Sequence, residues 1–342
     1  MKRLFLFLLI CSCFGFVTQS VFNLPIPNGW PKPAYNFKRN PLSPEAVLLG
    51  RALFYDPILS KNNTISCASC HSQYNGFTHA DHAISHGIYD SIGTRNSPTL
   101  MNLAWHKSFM WDGAINHLDM QALAPITHPK EMGERLDSLL VKLNRSKLYK
   151  SLVAKAYGDS IVKSEFVLKS ISQFLLTLVS ANSKYDSVMR HEADFTPQEK
   201  KGYVLFKNHC NGCHNEPLFT NLEFENNGLC VDDNLRDLGR FVITKNPLDS
   251  FKFKVPTLRN IEFSFPYMHD GRFKTISAVL LHYSSPKCKT PSLSNLLKNP
   301  IKLSKADRVD LTAFLLCLTD KAFLFNENYS YPKILLLNLP KD

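Results

Sequence analysis

The chain has 342 residues, 44% of them apolar and 20% charged. It is long enough for two domains with their own cores and too apolar for a disordered chain. Its formal charge of +11 is not gathered into Lys/Arg runs interleaved with aromatics, which excludes nucleic acid as a partner, whereas acidic partners suit such a surface.

Lys2 and Arg3 precede a nearly unbroken apolar run from Leu4 to Val17. That run is short for a membrane-spanning helix and right for an export signal. Residues 1–20 are therefore expected to be a leader, and the mature chain to lie in the periplasm. Cys13 follows the small Ser12 and is a candidate lipid-bearing residue, which would give a membrane-anchored lipoprotein. Cys11 and Cys13 read equally well as filler in the apolar run.

A Pro-rich, extended stretch over residues 23–41 follows. A helix is expected to start at Ser43, as N-cap, with Pro44 at its first position and Glu45 next. It leads towards Cys67-Ala68-Ser69-Cys70-His71. Residues 73–98, rich in Gly, Asn, Ser and His, predict a loop. Between Leu136 and Val188 apolar residues such as Phe166, Ile171, Phe174 and Leu175 recur at helical spacing. A boundary falls near residues 191–196. There Thr196-Pro197-Gln198-Glu199 opens a helix with a capping box and runs into Cys210-Asn211-Gly212-Cys213-His214. A last helix is expected from Ser304, with Asp307 three residues on, burying Leu311, Phe314 and Leu315. Strand signals are few, so the fold class is mainly α. Two cytochrome c-like domains are expected, residues 21–192 and 193–342.

The two Cys-x-x-Cys-His motifs carry the chemistry. In each, two thiols can form thioethers to the haem vinyl groups while the adjacent imidazole supplies the proximal iron ligand. Cys67, Cys70 and His71 would hold one haem c, and Cys210, Cys213 and His214 a second. A zinc site or a redox Cys-x-x-Cys is the rival, and His in fifth place in both motifs speaks against it. Outside leader and motifs remain Cys230, Cys288 and Cys317, of which two could pair in an oxidising compartment.

Further segments carry a family resemblance. They are Leu49-Gly50-Arg51-Ala52-Leu53-Phe54-Tyr55-Asp56, Arg95-Asn96-Ser97-Pro98-Thr99, and Met110-Trp111-Asp112-Gly113 with Gln121, Pro125 and Glu131-Met132-Gly133. Two more lie in the second half, Phe253-Lys254-Val255-Pro256-Thr257-Leu258-Arg259-Asn260 and Tyr267-Met268-His269-Asp270-Gly271. Together, from about residue 41 to 320, they resemble the bacterial dihaem cytochrome c peroxidases, a family that includes the methylamine-utilisation enzyme MauG.

The resemblance implies an N-terminal peroxidatic haem and a C-terminal electron-transfer haem. Gln121 and Glu131 match the polar pair over the first haem, where a carboxyl moves a proton between peroxide oxygens and an amide orients them. Trp111 matches the aromatic relay between haems. Asn96, with the carbonyls of Ser264 and Pro266, matches an inter-haem calcium site. Among His79, His82 and His86, His86 sits nearest the place of a histidine that caps the first iron. Where the peroxidases carry a methionine on the second iron this chain has Tyr283, as MauG does; Met268 and His282 are alternatives by proximity.

The implied function is reduction of hydrogen peroxide to water with electrons from a small cytochrome c or copper protein (a cupredoxin), in a homodimer. The alternatives are MauG-like oxidation of a protein or small molecule, and a plain electron-transfer cytochrome, against which Gln121 and Glu131 argue.

Overall fold

A computed structural model describes residues 20–337, so the expected leader, with Cys11 and Cys13, lies outside the described residues. The fold is mainly helical. The first half contains α1 (Pro44–Tyr55), the one-turn α2 (Cys67–Cys70), α3 (Leu118–Gln121), α4 (Leu123–Thr127), α5 (Leu136–Arg145), α6 (Lys147–Tyr157) and α7 (Ser164–Thr177). After α8 (Lys184–Met189), the second half contains α9 (Pro197–His209), α10 (Phe241–Thr244), α11 (Ile276–Ser284) and α12 (Lys305–Leu316). Two short strands, β1 (Phe224–Glu225) and β2 (Phe253–Lys254), pair antiparallel. No described helix is long and apolar enough to cross a membrane.

The helix starts read from the sequence are built as expected. Ser43 Oγ accepts from the Ala46 amide at 3.2 Å, with Pro44 in the first turn. Thr196 and Glu199 cap each other's amides, as do Ser304 and Asp307. These side chains satisfy amides that the first helical turn leaves without partners. Residues 73–98 hold only short 3-10 turns. Phe166 is half-buried rather than core, its ring stacked on Tyr157 at 4.3 Å.

Each half is held by one helix crossing of the same kind. Gly50 of α1 lies against the Ser170 carbonyl of α7, where an added Cβ would come within 1.8 Å of the oxygen. Gly202 of α9 lies against the Asp310 carbonyl of α12, with a corresponding 2.0 Å. Only hydrogen in place of a side chain lets the helices approach this closely. Around these crossings lie two cores. One contains Leu49, Leu53, Phe54, Ile171 and Phe174, the other Phe206, Phe219, Leu311 and Phe314. Phe323, Leu324 and Leu336, from the end of the chain, pack into the first core. There Arg51 donates to the Glu327 and Ser330 carbonyls at 2.7 Å.

Behind the second motif lies a buried ion pair. Arg259, fully buried, donates through two nitrogens to both Asp186 oxygens at 2.8 Å, and its Nε reaches the Pro217 carbonyl at 2.9 Å. Burial alone would raise the Asp186 carboxyl, but Arg259 and Ser183 outweigh it and hold it below the usual range. Of the three cysteines left open by the sequence, Cys230 and Cys288 form a disulfide and Cys317 is a buried thiol.

Gly50→Ala and Gly202→Ala should each lower unfolding stability by about 1–3 kcal/mol, the usual cost of overpacking. Denaturant unfolding checks this; a change below about 0.5 kcal/mol, typical of a surface site, would show that the helices separate freely there.

Candidate functional site

The first motif occupies a single helical turn. The Ser66 amide donates to Ser69 Oγ at 3.1 Å and the His71 amide to the Cys67 carbonyl at 2.9 Å. Cys67 and Cys70, three residues apart, therefore fall on one face, and His71 leaves the helix at a non-helical φ of −131°. Its Nδ1 lies 2.9 Å from the Phe77 carbonyl oxygen. A carbonyl only accepts, so Nδ1 carries the proton and Nε2 keeps a lone pair.

The second motif repeats this at the end of α9. The Cys213 and His214 amides donate to the Cys210 carbonyl, at 3.1 and 2.9 Å. His214 Nδ1 lies 3.1 Å from both the Phe219 and Pro256 carbonyl oxygens, which again leaves Nε2 as the free base. Burial pushes Cys67 and Cys210 up to about 12, Cys70 and Cys213 up to about 11, and both imidazoles down to about 4. All four motif thiols are unpaired. Two neutral thiols beside an imidazole with an outward lone pair suit a covalently bound haem at each motif.

Around the first motif, Glu131 follows the His128-Pro129 turn. Its amide donates to the His128 carbonyl and its own carbonyl accepts from Ile88. Burial raises its carboxyl above the usual range, with His128 pulling the other way at 3.9 Å. The same carboxyl lies in electrostatic reach of both Cys67 and Cys70. Gln121, closing α3, reaches Met110 Sδ at 3.7 Å. His86 Nδ1 pairs with Asp90 at 2.8 Å, its ring stacks on His82 at 4.2 Å, and its carbonyl accepts from Cys70 Sγ at 3.5 Å. His79 Nε2 lies 3.1 Å from His82 Nδ1. His82 and His86 line a cavity of about 610 Å³ together with Phe265, Pro266 and Lys274.

Trp111 lies where the halves meet. Its indole donates to the Asn96 carbonyl at 2.8 Å, and its own carbonyl accepts from the Lys254 amide at 2.7 Å. Asn96 is buried. Its amide donates to the His269 carbonyl and its Nδ2 to the Pro266 carbonyl at 2.5 Å, while Oδ1 is enclosed without a partner. Ser264 lies two residues before Pro266, its amide bonded to the Asn260 carbonyl.

Residues not singled out by sequence reasoning complete this junction. Arg95 bridges Asp112 of the first half, at 2.6 Å, and Asp237 of the second, at 2.5 Å. Lys254 bonds the Ser108 carbonyl and hydroxyl between the Phe109 and Phe224 rings, and burial pushes its amine down to about 8. Arg95, Asp112 and Lys254 stand inside the segments that carry the resemblance, which was the available signal. Pro256 lies in one of these segments too, whereas the carbonyls of Phe77 and Phe219 have no such signal.

At the second motif, Tyr283 on α11 lies in electrostatic reach of Cys210 and Cys213. Burial of its hydroxyl pushes it up to about 12, with nearby Asn227 opposing. Met268 and His282 also meet Asn227: Nδ2 lies 3.3 Å from Met268 Sδ, and His282 Nε2 lies 3.1 Å from the Asn227 carbonyl.

Comparison with known proteins agrees with this double site. Residues 44–194 match the family model for di-haem cytochrome c peroxidase. The methylamine utilization protein MauG of Methylorubrum extorquens is 36% identical over 288 residues, covering 81% of this chain and 79% of that protein. The chain belongs to the di-haem cytochrome c peroxidase and MauG family.

Both branches of this family are near. The cytochrome c551 peroxidase of Nitrosomonas europaea is 34% identical over 246 residues, 69% of this chain and 72% of that protein. Among solved structures, a MauG-like protein associated with microbial copper homeostasis superposes with a TM-score of 0.82 at 31% identity, over 91% of this chain and 99% of that one. In a di-haem family, the two Cys-x-x-Cys-His turns are the candidate attachment sites. Cys210→Ala combined with Cys213→Ala should therefore leave one covalently bound haem per chain, counted by haemochrome absorbance against protein mass. Retention of two would dissociate the second motif from attachment.

Proposed function

We propose that this protein is an exported, periplasmic di-haem cytochrome c peroxidase. It would reduce hydrogen peroxide at the N-terminal haem, in residues 21–192, with electrons received through the C-terminal haem, in residues 193–342. The observation that carries this reading is the Glu131 segment held beside the first motif, where the Ile88 amide bonds the Glu131 carbonyl and the nearby His86 carbonyl accepts from Cys70 Sγ, with the half-buried Glu131 carboxyl in electrostatic reach of Cys67 and Cys70. When bound, the haem supplies the redox chemistry that cleaves the peroxide O–O bond, so that one peroxide, two electrons and two protons give two waters.

The chain's own part is to hold and move protons. A carboxyl with a raised pKa holds a proton at higher pH than an exposed one, and can take a proton from one peroxide oxygen and return it to the other. Gln121 would orient the peroxide through its amide. Trp111, bonded to Asn96 on one side and Lys254 on the other, would relay electrons between the halves. The donor would be a small cytochrome c or cupredoxin whose acidic face matches the basic surface. His71 and His214 would ligate the two irons. His86 is proposed to cap the first and Tyr283 to ligate the second.

The residues present also fit calcium at the junction. The enclosed Asn96 Oδ1 has no partner and the Pro266 carbonyl stands beside the same amide. A hard cation held by that oxygen and the Ser264 and Pro266 carbonyls would satisfy it.

A second reading, MauG-like oxidation of a protein or small molecule, is favoured by Tyr283 near Cys210 and Cys213. An anionic oxygen on the second iron stabilises its ferric state relative to methionine.

Steady-state peroxide consumption with reduced cytochrome c as donor tests the first reading. Many donor molecules should be oxidised per enzyme, and near-absence of donor turnover would move the function to the MauG-like branch. In the active enzyme Glu131→Gln should lower kcat/KM for peroxide by about a hundredfold to ten-thousandfold, the span of general acid–base catalysis, with both haems retained. Unchanged kcat/KM removes Glu131 from the mechanism. Elemental analysis of the purified protein should find calcium, lost in Asn96→Leu; calcium-free protein with intact haems refutes that site.

A further inference from the structure

The Glu131 carboxyl has His128 as its ion-pair partner, at 3.9 Å and within the same turn, so where it stands is set by the backbone of that turn. The Glu131 and Gly133 amides donate to the His128 carbonyl, and those of Met132 and Glu134 to the Pro125 and Ile126 carbonyls. Residues 125–134 are thereby knit into one piece at the end of α4. Ties to the rest of the chain come from the Ile88 amide, on the Glu131 carbonyl at 2.7 Å, and the Lys61 amide, on the Met132 carbonyl at 2.9 Å. A third tie is the ion pair between buried Glu134 and Lys142 of α5.

Lys142 reaches further. Its ammonium also donates to the Ser60 carbonyl at 2.7 Å and to Asn63 Oδ1 at 2.9 Å. An ammonium has three N–H donors, and here they go to three different places. Ser60, fully buried, in turn accepts through its hydroxyl oxygen from the Thr64 and Ile65 amides, each at 3.1 Å. Those two residues lead straight into Ser66 and Cys67. One side chain on α5 therefore joins the turn bearing Glu131 to the loop that delivers the first motif.

We propose that Lys142 is the positioning residue for Glu131. It fixes the separation between the Glu131 turn and the Cys67–Cys70 turn, and so the place of the carboxyl relative to a peroxide bound at the first haem; this rests on the reading of Glu131 as the group that moves the proton. The physical case lies in what the ion pair holds back. Glu134 is 5% exposed, and its other oxygen accepts from the Arg135 amide at 2.9 Å. A carboxylate so enclosed that loses its cation must find water or another donor, and either route swings residues 131–134 away from residues 60–63. A displacement of about 1 Å at a catalytic group is enough to cost on the order of a hundredfold in rate.

The test uses the two-haem protein. Peroxide reactivity is read as the second-order rate at which peroxide changes the haem absorbance, which needs no electron donor. Lys142→Met keeps the stem and loses the donors, and should lower that rate by on the order of a hundredfold. Glu134→Gln, nearly isosteric, should lower it by less. In both, amide hydrogen exchange over residues 58–65 and 84–92 should quicken by about fivefold, the weight of one net hydrogen bond, with residues 196–209 unchanged. In a Glu131→Gln background, adding either substitution should change the rate by less than about twofold, since nothing is left to position. The same loss there as in the wild type would show general loosening of the first half and overturn the proposal. Wild-type rate and exchange in both single variants would overturn it as well. Should Lys142→Met fail to fold, Glu134→Gln decides the cycle by the same criteria. A Glu131→Gln protein as reactive as the wild type would overturn the reading of Glu131 and this proposal with it.

Discussion

Each motif imidazole donates its Nδ1–H to a main-chain carbonyl, Phe77 for His71 and Phe219 with Pro256 for His214. That commitment leaves Nε2 as the only free base and fixes the plane in which it points. Most of the architecture serves to hold those carbonyls. The Phe77 ring is fully buried in the first core, and the Phe219 ring in the second. Arg259, locked on Asp186, grips the Pro217 carbonyl two residues before Phe219. A buried ion pair of this kind is strongly destabilising to break because the remaining charge has no water to turn to. Its role here is to keep a stretch of backbone in register under an imidazole.

The halves share this plan and differ in what surrounds it. A half-buried carboxyl lies in electrostatic reach of the first motif, whereas near the second a thioether and an imidazole meet one asparagine. Between them lies a junction dense in charge, with Arg95 bridging Asp112 and Asp237 and Lys254 enclosed by two aromatic rings. Trp111 sits inside it with every polar backbone and ring contact described made to a neighbouring main chain. A residue so confined has a defined orientation, which a short-range electron relay needs.

The sequence made the helix starts legible because capping is local: Ser43, Thr196 and Ser304 each satisfy amides within three or four residues. Cys-x-x-Cys-His was legible for the same reason, since one helical turn sets its geometry. The two glycine crossings were not. Gly50 and Gly202 look like ordinary helix interruptions until Ser170 and Asp310, more than a hundred residues away, are seen against them. Nor was the carbonyl set under the imidazoles, because a backbone oxygen has no residue identity. The pairing of Cys230 with Cys288 lay between these cases, narrowed by counting and decided only by the path of the chain.

The return of the chain's end to its beginning bears on the order of biosynthesis. Domains commonly fold as they emerge, the N-terminal one first. Here Phe323, Leu324 and Leu336 complete the core around α1 and α7, and Arg51 waits for the carbonyls of Glu327 and Ser330. The leading half cannot finish its interior until Leu336 has been delivered, while the trailing half, closed by α12, can settle earlier. The Cys67–Cys70 turn therefore sits in an unfinished body until those residues arrive, and is enclosed late.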